Sequence, residues 1–99
     1  MPLPQPPEPR VNANFPVRFS LERSECAGTL VNLSRSGALV AADRYVADVG
    51  AQLRLVISAP RPGPIAVDSC VVRRTANGFA VQFLGAPVEL LELLADLGG

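Results

Sequence analysis

Residues 32–37, Asn-Leu-Ser-Arg-Ser-Gly, combine several groups that can bind a small ligand. The amide of Asn32 carries both a donor and an acceptor, so it can pair with the edge of a base. Ser34 offers a hydroxyl that suits a phosphate or an exocyclic amine, and Gly37 can adopt a positive φ that lets a flat ring or a phosphate approach the backbone. The same residues also fit a purely structural turn, in which Asn32 and Ser34 bond to their own backbone.

Enzymatic chemistry has little support in the sequence. The chain contains 0 His, which removes the commonest general base and the commonest metal ligand. Asp43, Asp48 and Asp68 lie in or near predicted turns, and Ser34 has no neighbouring base that could activate it. We therefore predict a protein that is not an enzyme and that holds no metal ion and no cofactor.

Length and charge indicate one small, globular domain. The chain has 99 residues, 48% of them hydrophobic, and a formal net charge of +0. A neutral chain has no long-range field to collect a nucleic-acid polymer, so duplex DNA or RNA is not an expected partner. A small, doubly charged ligand remains possible, because local placement of arginines is enough to bind it.

The cysteines and the N-terminal residues bear on the compartment. Cys26 and Cys70 are far apart in the sequence and have no CxxC spacing, and no signal-peptide pattern is present. We therefore expect free thiols in a reducing cytoplasm. No apolar stretch approaches the roughly 20 residues that a membrane span requires. Residues 1–9 include five prolines and are predicted to form an extended, solvated tail, or alternatively a docking peptide for an aromatic groove.

Alternating apolar residues predict the elements that position the 32–37 turn. The alternation begins at Phe15, Gly28 is a possible bulge, and Asn77-Gly78 is a strong signal for a tight hairpin turn. Six short strands separated by polar turns indicate an all-β domain, either a small antiparallel barrel or a sandwich. The predicted strands cover residues 15–22, 26–31, 37–42, 52–58, 65–74 and 79–83.

The last segment is predicted to be a helix. Pro87 suits its first position and Gly98 suits the residue past its end. Two interpretations are open, a helix packed over the open end of a barrel and a face that pairs with a second copy or a partner protein. The leucines predicted to line one face are Leu90, Leu91, Leu94 and Leu97.

The order of these elements, together with the motif Asn32-x-Ser34-x-x-Gly37, resembles the PilZ domain family over residues 10–97. The segments flanking the motif, and residues 71–74 and 78–83, are also typical of that family. The resemblance implies a six-stranded antiparallel β-barrel with a C-terminal α-helix, and cyclic di-GMP as the ligand. It implies one domain, residues 10–97, behind the tail of residues 1–9.

The family's other signature, an RxxxR segment before the first strand, is incomplete in this chain. Arg10 takes the place of the second arginine, and Pro6 stands where the first would be. The resemblance therefore implies a cyclic di-GMP site formed by Arg10, Asn32, Ser34 and Gly37. Arg35, inside the turn, can be read as a further phosphate contact or as a solvated side chain.

Two functions follow from the resemblance. The first is a bacterial, cytoplasmic effector that binds cyclic di-GMP and relays the signal to an unidentified protein partner, with a homodimer possible. The second is a degenerate PilZ domain that ignores the nucleotide and acts as a protein–protein adaptor, which the proline at position 6 favours.

Overall fold

The computed structural model describes residues 10–21, 23–42 and 47–98. The predicted tail, residues 1–9, and Asp43 lie outside the described residues. The secondary structure elements are β1 (Val11–Leu21), β2 (Ser24–Leu33), β3 (Gly37–Ala41), β4 (Gln52–Ser58), β5 (Pro64–Thr75), β6 (Gly78–Phe83) and α1 (Val88–Asp96).

The six strands form a closed antiparallel barrel in the order β1-β2-β3-β6-β5-β4. Pairing of β1 with β4, for example Val17 with Ile57, closes the sheet on itself. Closure gives each strand a neighbour on both sides, which shortens the edges that could pair with another chain. The predicted barrel with a C-terminal helix is confirmed, and the sandwich is excluded.

The barrel interior is filled by the apolar residues of the alternating strands. Phe19 and Phe79 are fully buried and meet edge to face, with ring centroids 5.1 Å apart. One polar residue inside, Ser69, donates its hydroxyl to the Val67 carbonyl at 3.2 Å, so its burial leaves no group unsatisfied. Cys26 is buried and Cys70 half-buried, both as free thiols, as predicted.

The strand irregularities do not fall where the sequence predicted. A bulge at Gly28 is wrong, because Gly28 pairs in register with Val17. A Cβ on Gly28 would lie 2.5 Å from the Ala41 carbonyl oxygen, so close strand packing explains this glycine. The β2–β3 register instead shifts between Leu30 and Asn32. This bulge leaves Val31 and Asn32 both accessible between buried neighbours.

The hairpin between β5 and β6 is confirmed, but its turn is one residue earlier than predicted. Thr75 pairs with Gly78, so Ala76 and Asn77 form the turn. Gly78 does not have a positive φ, and a Cβ there would collide with the Val40 carbonyl oxygen. Its role is therefore to let β6 lie close to β3.

The C-terminal helix packs against the barrel core through Leu90, Leu93 and Leu94. Pro87 is the N-cap and not the first helical residue, while Gly98 has a φ of 85° just past the end, as predicted. The assignment of Leu91 to the buried face is wrong, since it is 39% exposed. Among the described residues, no helix is long and apolar enough to cross a membrane.

Candidate functional site

Arg10 lies beside the end of β2 because of the β1–β2 register. The first pair of this antiparallel ladder joins Val11 to Leu33, which brings the residue before β1 next to the turn after β2. The Arg10 guanidinium donates a hydrogen bond from Nη1 to Oδ1 of Asn32 at 2.8 Å. Two of the four predicted site residues, 22 positions apart, are therefore in direct contact at an exposed surface.

Ser34 organises the turn between β2 and β3 from within. Its Oγ accepts hydrogen bonds from the backbone N–H groups of Ser36 at 3.3 Å and Gly37 at 3.2 Å, and it also lies 3.3 Å from the Gly37 carbonyl oxygen. Ser34 is only 1% exposed, so its hydroxyl faces the protein and not solvent. The purely structural turn therefore fits the Ser34 side chain, which bonds to the backbone of its own turn. It does not fit the Asn32 side chain, which bonds to Arg10.

Two backbone hydrogen bonds hold the same turn to its neighbours. The Ser34 N–H donates to the Gly37 carbonyl at 2.9 Å, and the Phe83 N–H donates to the Ser36 carbonyl at 2.7 Å. The second bond joins the turn to β6, on the far side of β3 from β2. The turn is therefore a fixed part of the barrel wall.

Gly37 is buried at the start of β3, and the expectation of a positive φ is wrong there. A Cβ at this position would collide with the Val81 carbonyl oxygen on β6. Gly37 is thus explained by close packing of β3 on β6, which fixes where the turn ends.

A shallow cleft on the outside of the barrel begins next to Asn32. Asn32 pairs with Leu39 across the β2–β3 ladder, and Leu39 and Val31 both line the cleft. The cleft encloses about 290 Å³ and is lined by Val31, Leu39, Val40, Ala41, Thr75, Ala76 and Asn77. Apolar walls suit the face of a flat ring. This surface is not predictable from the sequence, because the β2 bulge that exposes Val31 has no signal in the residue pattern.

At this end of β1 and β2, positive charge comes from individual side chains and not from the net charge of the chain. Arg10 and Arg35 are both exposed, in a chain whose formal net charge is +0. Arg18, Arg54 and Arg74 are instead in ion pairs, with Glu25, Asp68 and Asp48 respectively. No cluster of three or more potential metal ligands occurs within residues 10–21, 23–42 and 47–98.

The comparisons with known proteins give the family. The model of the PilZ domain matches residues 5–97. The chain belongs to the PilZ family. A search of curated proteins found no match.

Two solved structures show the same PilZ fold. The inhibitor of motility MotI (DgrA) from Bacillus subtilis superposes with a TM-score of 0.75 at 17% identity, over 95% of this chain and 52% of that one. The PilZ domain of YcgR from Escherichia coli, solved with cyclic di-GMP, superposes with a TM-score of 0.74 at 15% identity, over 96% of this chain and 90% of that one. The chain spans about half the length of the MotI chain.

PilZ domains form a family of cyclic di-GMP effectors. In this PilZ domain, the second-arginine position and the turn motif meet at one end of the β1–β2 pair. Arg10 and Asn32 present polar groups at the surface, while Ser34 and Gly37 are buried in the turn that supports them.

Proposed function

We propose that this protein is a non-enzymatic, cytoplasmic bacterial effector that binds cyclic di-GMP and relays its presence to a protein partner. The observation that carries the proposal is the 2.8 Å contact between Arg10 Nη1 and Asn32 Oδ1. It means that a cation suited to phosphate and an amide suited to a base edge already lie within reach of one small ligand.

Each surface residue has a distinct role in this proposal. A guanidinium has five N–H donors, so Arg10 keeps donors for a phosphate while one bonds to Asn32. Asn32 pairs with a guanine edge, and the neighbouring wall of Val31 and Leu39 receives the face of the ring. Ser34 and Gly37 act indirectly, by holding the turn in the shape that presents Asn32.

Relay to a partner requires that the ligand bind two states of the protein differently. Arg10 is the residue just before β1, so a ligand held by its guanidinium also holds the chain that enters the barrel. The proposed signal is a change in the protein surface around Arg10 and the start of β1. The partner protein recognises this changed surface.

Titration calorimetry with cyclic di-GMP tests the proposal. We expect measurable heat, together with amide chemical-shift changes at Arg10 and residues 32–37. Cyclic di-AMP is the matched control, because it keeps the phosphates and changes the base edge that Asn32 reads. An absence of heat at high micromolar cyclic di-GMP would overturn the proposal.

The second candidate function is a PilZ adaptor that does not bind the nucleotide. Pro6 at the first-arginine position favours it. Loss of one charge-assisted contact, about 1.5–3 kcal/mol, weakens binding roughly 10- to 150-fold. If the wild type does not bind cyclic di-GMP and the Pro6→Arg variant does, the native chain is an adaptor whose nucleotide site is no longer functional.

A further inference from the structure

Arg35 lies at the same end of the β1–β2 pair as Arg10. Val11 pairs with Leu33 in the antiparallel ladder, so Arg10 comes level with Ser34, and Arg35 is one residue further along the turn. Neighbouring strands lie about 4.8 Å apart, which puts two long arginine side chains within reach of one small molecule.

The backbone at Arg35 is held on both sides while its side chain is exposed. Ser34 before it bonds to Gly37, and the Ser36 carbonyl after it accepts the Phe83 N–H at 2.7 Å. Among the described residues, Arg35 has no carboxylate within salt-bridge distance, in contrast to Arg18, Arg54 and Arg74. A guanidinium on a fixed backbone that forms no ion pair with residues 10–21, 23–42 or 47–98 can bind an anionic ligand.

We propose that Arg35 supplies the second guanidinium contact to the phosphates of the ligand, in place of the arginine that is absent at position 6. This inference rests on the proposed function. The ligand carries two phosphate charges, and Arg10 alone matches only one of them. Arg10 from the strand entry and Arg35 from the turn would hold the phosphates from two directions, each through charge-assisted hydrogen bonds.

The test compares arginines at the two ends of the same strand pair. Arg35→Ala and Arg23→Ala each remove one exposed positive charge. Arg23 lies in the turn between β1 and β2, at the opposite end of strands that extend roughly 30 Å at 3.3–3.4 Å per residue. Calorimetry with cyclic di-GMP is run on the wild type, on both variants and on Arg35→Lys, with amide spectra to verify folding.

We expect Arg35→Ala to weaken binding about 10- to 150-fold and Arg23→Ala to change it less than about twofold. Arg35→Lys should recover part of the loss, because it keeps the charge but not the planar fork. Wild-type binding that Arg35→Ala leaves within twofold would overturn this inference alone. Equal losses in Arg35→Ala and Arg23→Ala would also overturn it, since they would indicate a net-charge effect. An absence of wild-type binding would overturn the proposed function and this inference with it.

Discussion

Arg10 and Asn32 are 22 positions apart and share a 2.8 Å hydrogen bond because β1 pairs antiparallel with β2. The contact orients both groups before any ligand arrives. The contact also adds a free-energy cost to ligand binding, since a ligand that donates a hydrogen bond to Asn32 Oδ1 must replace the bond from Arg10. Because the pair is exposed, water can satisfy each group during the exchange, and the cost is small.

Arg10→Ala is expected to abolish most ligand affinity and leave the fold intact. The free energy of unfolding should change by less than about 0.5 kcal/mol, since the side chain is exposed. Cyclic di-GMP affinity should fall about 10- to 150-fold, measured by calorimetry. Arg18→Ala is the control, because Arg18 lies on β1, the strand that Arg10 precedes, in an exposed ion pair with Glu25. A similar affinity loss in both variants would contradict a specific role for Arg10.

Ser34→Ala is expected to destabilise the turn. It removes the acceptor for the N–H groups of Ser36 and Gly37 at a position that is 1% exposed. Leaving the buried Gly37 N–H unpaired costs about 1–3 kcal/mol, measurable by urea denaturation, and should speed amide exchange at Gly37. Ser36→Ala, which removes an exposed hydroxyl two residues away, should change stability by less than about 0.5 kcal/mol. Equal stability of the two variants would contradict this account of Ser34.

Gly37→Ala is expected to destabilise the barrel and weaken ligand binding together. The added methyl would collide with the Val81 carbonyl oxygen, which belongs to the backbone and can move only by separating β3 from β6. The expected loss is about 1–3 kcal/mol by urea denaturation. Gly85→Ala is the matched control, because a Cβ at Gly85 has no atom within 4 Å and should be nearly neutral. A neutral Gly37→Ala would show that β3 and β6 can separate at low cost.

The strand pattern was predictable because burial on one side of a sheet imposes a period of two on the sequence. Residues 52–58 alternate with Leu53, Leu55 and Ile57 on one face, and β4 has those same bounds. The barrel closure was harder, since the pairing of Val17 with Ile57 joins strands far apart in the chain and has no local signal. It came from the resemblance to a family and not from periodicity.

The residues that form the candidate site were predictable from the sequence, but the arrangement of their side chains was not. The spacing of Asn32, Ser34 and Gly37 marked the turn, but residue types alone could not show which groups face inward. Ser34 is buried in the folded turn, and the close approach of Gly37 to Val81 depends on β6, which lies about 45 residues later in the chain. The glycine at position 37 was expected for its conformational freedom, whereas its role in the structure is to avoid a steric clash with the backbone of β6.

The C-terminal helix offers a direct test of how its leucines divide between core and surface. Leu93 is 1% exposed and belongs to the core, while Leu91, two positions away, is 39% exposed. Leu93→Ala should lower the free energy of unfolding by about 2–5 kcal/mol, because it opens a cavity in the core. Leu91→Ala should cost less than about 1 kcal/mol, since that side chain loses little burial. Thermal and urea unfolding of both variants measure the difference, and circular dichroism verifies that the helix persists. A larger loss for Leu91→Ala than for Leu93→Ala would contradict the burial of Leu93 and the exposure of Leu91.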